Sequence, residues 1–95
     1  MNKLRKFARG QECQVRIPAY CSHDPETVVL AHLGGAGMGR KHPDLLGAWC
    51  CAACHDVVDG RVASEYSNLE VRLMHLDGIM RTQLKLIDAG LVEDK

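Results

Sequence analysis

Residues 51–55 read Cys-Ala-Ala-Cys-His, which is the most specific pattern in the sequence. Two cysteines separated by two residues can both bind one metal ion, and zinc bound by cysteine is typically tetrahedral. A second, more widely spaced pair precedes this segment. Together the two pairs predict one zinc ion bound by Cys13, Cys21, Cys51 and Cys54. Such a site would hold together a fold with a small core.

The chain has 95 residues and few aromatic side chains, with one Phe, one Trp and two Tyr. This predicts a single domain over residues 1–95 with a modest aliphatic core. Five cysteines is an odd number, so a framework made only of disulfides would leave one thiol unpaired. We expect no signal sequence and no membrane partner, because the chain has no apolar run of the required length. These features predict a cytoplasmic protein whose reduced thiols bind metal.

Cys50 is the fifth cysteine and directly precedes Cys51. A pair formed by Cys50 and Cys54 has three intervening residues, which is a less usual ligand spacing than two. We therefore expect Cys50 to be a small buried apolar residue.

Local patterns predict an α+β fold. The basic residues 1–12 favour a short helix, and residues 13–21 begin with alternating polar and apolar side chains, which predicts a short strand and a turn. Residues 27–33 are apolar and rich in β-branched side chains, so they are the best strand candidate. Residues 51–58 favour a short helix that a glycine stops.

A long C-terminal helix is predicted to begin at Ser67, which forms a capping-box pattern with Glu70. Gly78 is expected to weaken the middle of this helix, and Gly90 to end it. Apolar residues recur at steps of three and four along it, as in an amphipathic helix. These residues are Leu69, Leu73, Leu76, Met80, Leu84, Ile87 and Leu91. We expect this stripe to pack on the zinc-binding part of the chain.

Basic residues are concentrated at the N-terminus and in a glycine-rich loop at residues 34–43, although twelve basic and twelve acidic residues balance overall. A basic face suits contacts with the phosphates of DNA. The residues that would make these contacts are Lys3, Arg5, Lys6, Arg40 and Lys41. A solvated terminus and a mobile surface loop would explain the same residues without a nucleic-acid partner.

Two histidines are candidates for chemistry. His32 lies on the predicted strand, and His55 directly follows the second cysteine pair. A strand and a helix that each carry a histidine can converge, so that one imidazole takes a proton while the other binds a metal. Asp59, one helical turn after His55, and Asp44, just ahead of the helix, are each a candidate metal ligand or orienting carboxylate. The alternative for both acids is a solvated surface position.

The residues Val-Leu-Ala-His at 29–32 and the 51–55 segment resemble the HNH, or ββα-metal, endonucleases. Nearly the whole chain is similar to the small prophage-encoded YbcO-type nucleases, which are related to the phage recombination enhancement nuclease Ref. The segments that carry this similarity are residues 4–6, 13–18, 25–27, 43–45, 53–56 and 80–83. The resemblance implies an α+β, zinc-stapled ββα-metal (HNH-like) module with a long C-terminal amphipathic helix.

The same resemblance implies a metal-dependent endonuclease that cleaves DNA. His32 would be the general base that activates water, and His55 would bind Mg²⁺ or another divalent cation near the leaving 3′ oxygen, with Asp59 or Asp44 as further ligands. The four paired cysteines would hold a structural zinc. Two positions depart from the HNH pattern. Ala31 precedes the base where Asp or His is frequent, and the middle Asn has no counterpart, although Asp44 lies near its place.

A non-catalytic zinc module that binds nucleic acid, or a phage or host recombination protein, is the alternative. The basic N-terminus and the glycine-rich loop suit both functions, whereas two converging histidines are needed only for catalysis. A zinc-stapled scaffold with no nucleic-acid role is a third hypothesis. His42, in the loop, and His75, on the long helix, are expected to tolerate substitution by alanine.

Overall fold

The regular elements of the chain are short, apart from the last helix. The computed structural model describes residues 3–34 and 42–93. Within these ranges the elements are α1 (Lys3–Ala8), β1 (Val29–His32), β2 (Gly47–Cys50), α2 (Ala52–Val58) and α3 (Asn68–Asp88). Single turns of 3₁₀ helix at Pro25–Thr27 and Asp44–Leu46 lead into the two strands. The prediction of an α+β chain with a long C-terminal helix is confirmed.

The two strands form one antiparallel pair, in which Val29 lies opposite Cys50 and His32 lies opposite Gly47. Gly47, in the second of these pairs, has no room for a side chain, because Leu30 packs directly against it. A Cβ atom at Gly47 would lie only 2.8 Å from the Cγ atom of Leu30. The pairing therefore fixes His32 at the end of the sheet, next to the turn that precedes β2.

Helices α1 and α3 both pack against the sheet. All four residues of β2 are buried. The ring of Phe7 on α1 packs on Trp49, with 5.9 Å between the ring centroids. On α3, the Thr82 hydroxyl accepts a hydrogen bond of 3.0 Å from the backbone N–H of Trp49. The buried core is mainly aliphatic, with Trp49 within it, as the small number of aromatic residues led us to expect.

Three local predictions are confirmed. A strand lies inside residues 27–33 and a short helix inside residues 51–58. Ser67 and Glu70 form a complete capping box at the start of α3. Each of these features depends on nearby residues alone, which is why the sequence was sufficient. Within the described ranges, no helix has the length and apolarity needed to cross a membrane.

The predicted strand in residues 13–21 is wrong, because this segment contains bends and turns instead. Arg16 has a φ angle of 53° and Ala19 one of 72°, and His23 just beyond has one of 57°. These left-handed conformations are costly for residues with a Cβ atom and persist only where the surrounding structure imposes them. The alternating pattern reflects burial of Val15 and Ile17 in the core, and not strand pairing.

The predicted packing face of α3 is wrong for four of its seven residues, whereas Leu76 and Leu91 are partly buried against the core as expected. The residues that α3 buries are His75, Gly78, Ile79, Thr82 and Leu86. Four members of the expected stripe are exposed, namely Leu69 at 67%, Leu73 at 53%, Met80 at 62% and Leu84 at 63%. The physical reason is that the core face uses small and polar residues whose polar atoms bond the backbone of the sheet. Those hydrogen bonds allow the helix to lie close to the strands.

Gly78 does not interrupt α3, and it has a packing role that the sequence did not predict. A Cβ atom at this position would lie 2.9 Å from Cγ2 of Val15 and 3.1 Å from the carbonyl oxygen of Gln14. The absence of a side chain therefore allows α3 to approach the cysteine-bearing segment closely. The guanidinium of Arg81 donates to the same Gln14 oxygen, from Nε at 3.0 Å and from Nη2 at 2.6 Å.

Two leucines on α3 provide a direct test of which face is buried. Leu86→Ala should lower the free energy of unfolding by about 2–5 kcal/mol, because it leaves a cavity in the core. Leu84→Ala, on the exposed face, should change it by less than about 0.5 kcal/mol. Urea unfolding of the two variants, followed by circular dichroism, measures both values. Equal destabilisation by the two substitutions would contradict the observed orientation of α3.

Candidate metal centre and adjoining cleft

Four cysteine side chains from two segments meet at one point. The sulfur atoms of Cys13, Cys21, Cys51 and Cys54 all lie within 4.8 Å of one another. Tetrahedral zinc with Zn–S bonds of about 2.3 Å requires sulfur atoms about 3.8 Å apart. The sulfurs of Cys21 and Cys51 are 3.8 Å apart, far beyond the S–S bond length of about 2.05 Å. The donor set and its spacing therefore fit a four-thiolate zinc site.

Backbone amides support the sulfurs of this group. Ile17 donates its N–H to the sulfur of Cys54 at 3.4 Å, and Ser22 donates to the sulfur of Cys51 at 3.5 Å. The N–H of Cys54 also donates to the sulfur of Cys51, at 3.5 Å, which caps the start of α2. Amide donors of this kind stabilise negative charge on thiolate ligands. The turns at residues 13–21 serve to direct these amides at the sulfurs.

The ionisation of the four thiols depends on burial and on one another. Burial raises the pKa of Cys21 to about 11. Burial also opposes ionisation of Cys51, but donation from Ser22 and Cys54 lowers its pKa overall. The thiols of Cys50 and Cys54 donate hydrogen bonds to Cys13 and hold its pKa well below the usual range. Four thiolates at these distances need a cation between them, because their negative charges repel one another.

Cys50 is fully buried, as expected, and is not part of the group of four. Its hydrogen bond to Cys13 raises the pKa of its own thiol. Cys50 therefore lies against the cluster as a neutral thiol.

His32 is paired with Asp44, one of the two acids identified in the sequence. The Nε2 atom of His32 lies 2.5 Å from Oδ1 of Asp44. Arg5 contacts the same oxygen from its Nε atom at 3.3 Å. The hydrogen bond from His32, followed by the one from Arg5, lowers the pKa of Asp44 despite the burial of its carboxylate. Asp44 is therefore an ionised carboxylate whose side chain is only 9% exposed.

His55 is paired with Asp59, the other acid. Its Nε2 atom lies 3.2 Å from Oδ2 of Asp59, one helical turn further along the chain. Arg61 contacts the same Asp59 oxygen from Nη1 at 3.1 Å and also binds Asp56. His55 follows directly after Cys54, so the cysteine cluster fixes the start of the helix that carries it. The sequence-based expectation that His55 and Asp59 share one face of α2 is confirmed.

A cleft of about 640 Å³ lies where β1, α2 and α3 approach one another. Its lining includes His32 from β1, Asp59 at the end of α2, and Arg72 and His75 from α3. His55 joins this group through its ion pair with Asp59, and Asp44 joins it through His32. The structure thus brings the two predicted histidines and the two predicted acids together in two pairs near one cleft.

His75 and Arg72 are among the cleft residues that were not assigned to the site from the sequence. His75 is 3% exposed and donates from Nε2 to the carbonyl oxygen of Ala31 at 2.8 Å. That bond holds the residue immediately before His32. The expectation that His75 tolerates alanine therefore conflicts with its burial and its hydrogen bond. Steps of four, three and four through residues 75, 79, 82 and 86 form a second helical stripe, which is the signal that could have revealed this face.

The structure gives positions for three of the five basic residues that were predicted to contact nucleic acid. Lys3, Arg5 and Lys6 are exposed on α1. The exposed guanidinium of Arg5 also holds Asp44, so this residue links α1 to the His32 pair. Arg40 and Lys41 lie outside the described residues. His42 is half-buried just before the turn that carries Asp44.

Comparison with known proteins identifies the family. The family described as "Putative nuclease YbcO" matches residues 2–91. The chain is 44% identical over 99 aligned positions to the protein of that name from Escherichia coli K12, covering 98% of this chain and 99% of the relative. The chain belongs to the YbcO family. A YbcO protein of Enterobacteria phage 82 shows the same identity and coverage.

A solved structure similar to this YbcO-family chain is that of a putative bacteriophage protein from Escherichia coli K-12 MG1655. It has 43% sequence identity and a TM-score of 0.79, and the match covers 93% of this chain and all of the other. The resemblance to YbcO-type nucleases noted from the sequence is therefore confirmed.

Removal of one cysteine should show whether the cluster binds metal. We expect Cys54→Ser to lose bound zinc and to be largely unfolded, because site assembly and folding are coupled in so small a core. Cys50→Ala, which changes a buried cysteine outside the group of four, is the matched control and should keep one zinc per chain. Metal analysis and circular dichroism measure the two properties. A folded Cys54→Ser protein with a full complement of zinc would contradict the assignment.

Burial of His75 should make stability depend on pH. Burial lowers the pKa of this imidazole, an effect that His55 and Arg72 reinforce and that the Ala31 bond and Asp59 oppose. The folded state therefore disfavours the charged form of His75. Above about pH 6.5, the usual histidine pKa, the ring is neutral in the unfolded chain as well, and folding carries no penalty from this group. As the pH falls below that value, the unfolded chain binds more protons and stability is lost, by up to about 1.4 kcal/mol per pH unit.

The comparison of wild type with His75→Gln isolates this effect from the other titrating groups. Urea unfolding between pH 5 and 8 should give a shallower loss of stability at low pH for His75→Gln than for wild type. His42→Gln is the control and should keep the wild-type slope. Identical slopes for wild type and His75→Gln would show that His75 is not held in its neutral form.

Proposed function

We propose that this YbcO-family chain is a metal-dependent endonuclease that hydrolyses DNA phosphodiester bonds and contains a structural zinc. The observation that carries the proposal is the pairing of His32 with ionised Asp44 at a cleft that Asp59 also lines. A histidine held by a carboxylate is a common arrangement for a general base. Membership of a family named as nucleases supports the same conclusion.

His32 is suited to act as the general base. An ionised carboxylate can only accept hydrogen bonds, so the Nε2 atom of His32 carries the proton that bonds Asp44. This leaves Nδ1 of the neutral ring with the lone pair that can take a proton from the attacking water. Asp44 would then stabilise the resulting imidazolium without itself becoming protonated. We therefore assign Asp44 an orienting role and not a metal-binding one.

His55 and Asp59 are the residues that would hold the catalytic cation. Mg²⁺ is usually held by one or two carboxylates together with water and substrate phosphates, and Asp59 would supply one such carboxylate. The imidazole of His55 suits a softer divalent cation better than Mg²⁺. The cation, when bound, supplies positive charge to the leaving 3′ oxygen. Arg61 contacts Asp59 as well, and would release it when the cation binds.

Phosphate contacts would come from exposed cations on α1 and in the cleft. Lys3 and Lys6 lie on α1, and Arg72 lines the cleft itself. Arg72 donates from Nη1 to the carbonyl oxygen of Gly34 at 3.5 Å, and both residues line the cleft. Arg5 on α1 is a further candidate for these contacts, and Arg40 and Lys41, which lie outside the described residues, stay candidates on the sequence alone. Contacts of this kind hold the DNA backbone without reading its sequence.

The alternative of a non-catalytic module that binds DNA or a recombination protein shares these cations. It gives no role to the His32–Asp44 pair, which is why we favour catalysis. An HNH-like mechanism, in which His32 would be the base and His55 with Asp59 would hold the cation, is part of the proposal. DNA binding without cleavage in the presence of divalent cations would support the alternative.

Plasmid nicking with Mg²⁺ or Mn²⁺ tests the proposal. Wild-type protein should nick DNA, and His32→Ala should lower the rate by about 10²–10⁴-fold, the usual contribution of a general base. Asp44→Asn should also lower the rate, because the ring loses the carboxylate that orients it, and His55→Ala should raise the metal concentration required. His42→Ala is the control histidine substitution and should keep the wild-type rate.

Each variant must keep its zinc and its affinity for DNA, measured by metal analysis and by fluorescence anisotropy. If zinc content and DNA affinity are unchanged, a lower nicking rate shows a loss of catalysis and not a loss of folding. Undiminished cleavage by His32→Ala would show that the base is wrongly assigned.

A further inference from the structure

Arg5 pairs with Asp44 through one hydrogen bond only. Arginine and carboxylate groups frequently pair through two parallel hydrogen bonds, one to each carboxylate oxygen. Here Nε of Arg5 contacts Oδ1 of Asp44, which is the oxygen that His32 already bonds. The other oxygen, Oδ2, is buried and has no hydrogen-bond partner among the described residues. Arg5 is therefore oriented so that the rest of its guanidinium does not bond the carboxylate.

The outer edge of the Arg5 guanidinium is open to a ligand. Its two terminal nitrogens, Nη1 and Nη2, donate no hydrogen bond to a described residue, and the side chain is 53% exposed. Arginine carries its N–H donors in a rigid planar fork, and only the donor on Nε is used here. The remaining donors form the edge that binds a phosphate through two parallel hydrogen bonds. This edge lies directly beside the His32–Asp44 pair.

We propose that Arg5 holds Asp44 through Nε and a phosphate of the DNA backbone through Nη1 and Nη2 at the same time. The proposal rests on the nuclease function proposed above and adds a phosphate subsite to it. The bound phosphate neighbours the scissile one, because the ring atom of His32 that carries the lone pair is Nδ1, which does not face Asp44. Arg5 is thus a positioning residue that fixes the DNA strand relative to the base.

The dependence of Asp44 on Arg5 favours simultaneous contacts over an exchange of one for the other. His32 and Arg5 are the two side chains that bond this buried carboxylate. If Arg5 moved to DNA entirely, Oδ1 would keep one partner and Oδ2 would still have none. A lysine in place of Arg5 would keep the positive charge, but its single ammonium lacks the fork that joins a carboxylate to a phosphate.

Substitutions at two arginines test the positioning role in the plasmid-nicking reaction. Arg5→Lys should keep the affinity for DNA within about threefold, since the charge is unchanged. It should lower kcat at saturating DNA by about 10–100-fold, because the strand is no longer fixed beside the base. Arg9, exposed just beyond α1 and without an ion pair to a described residue, provides the control. Arg9→Lys should keep the wild-type kcat.

A double variant separates positioning from a purely structural role. If Arg5 acts through Asp44, Arg5→Lys with Asp44→Asn should have nearly the kcat of Asp44→Asn alone. Losses that multiply in the double variant would overturn this coupling, and so would a wild-type kcat for Arg5→Lys. Circular dichroism and metal analysis establish that each variant is folded and contains zinc.

NMR of the Arg5 side chain tests the subsite without catalysis. Zinc-loaded, ¹⁵N-labelled protein is titrated with a DNA duplex without added Mg²⁺ or Mn²⁺, and Arg5→Lys identifies the signals. The Nη signals should shift when DNA is added, while the Nε–H signal keeps the position that its bond to Asp44 gives it. Nη signals that do not respond to DNA would overturn the subsite. An Nε–H signal that moves to its position in Asp44→Asn would overturn the simultaneous contacts.

The two experiments also separate this proposal from the nuclease function. Wild-type protein that gives the expected NMR shifts but does not nick DNA would contradict the nuclease function and support the phosphate subsite. Wild-type protein that nicks DNA without those shifts would support the nuclease function and overturn the subsite.

Discussion

The meeting of four cysteine sulfurs is the contact on which the rest of the structure depends. It joins the turns of residues 13–21 to the start of α2, and it does so in a chain whose core has few aromatic side chains. The left-handed conformations of Arg16 and Ala19 occur on this segment. Conformations of that kind cost free energy, so an interaction nearby must compensate for them. Backbone amides directed at sulfur, with a cation between the sulfurs, would provide that compensation.

The two histidine–acid pairs are positioned by this frame. His55 follows a cysteine of the cluster by one residue, so its place depends directly on the sulfurs. His32 is held by strand pairing with β2, and β2 runs into Cys51 at the start of α2. His75 adds a bond from α3 to the backbone just before His32. The residues that we assign to catalysis therefore lie at the ends of short rigid elements, which suits a base that must keep a fixed position.

The sequence was sufficient where a structure depends on neighbours in the chain. The two cysteine pairs, the strand ending at His32, the helix after Cys51 and the capping box at Ser67 were all predicted. The sequence misled where the outcome depends on contacts between distant segments. Val15 and Ile17 alternate as in a strand because they enter the core from a turn. On α3, large apolar side chains indicate a face that is largely exposed. Gly78 and Thr82 lie on the buried face, where small size and a hydrogen bond to β2 matter more than apolar area. The pairing of His32 with Asp44 was not foreseen, since it depends on the register of β1 and β2.

The close approach at Gly78 has a consequence for how distant parts of the molecule influence one another. Val15 and Gln14 lie on one side of that contact, and both sit within two residues of a cysteine ligand, while α3 lies on the other. Any event that favours the docked position of α3 also favours the turns that bring Cys13 to the cluster. By thermodynamic linkage the effect is reciprocal, so metal binding at the four cysteines, which we propose, and docking of the helix would strengthen each other to the same degree. A molecule that binds α3 only in its docked position would thereby raise the affinity of the cysteine cluster for zinc without touching it.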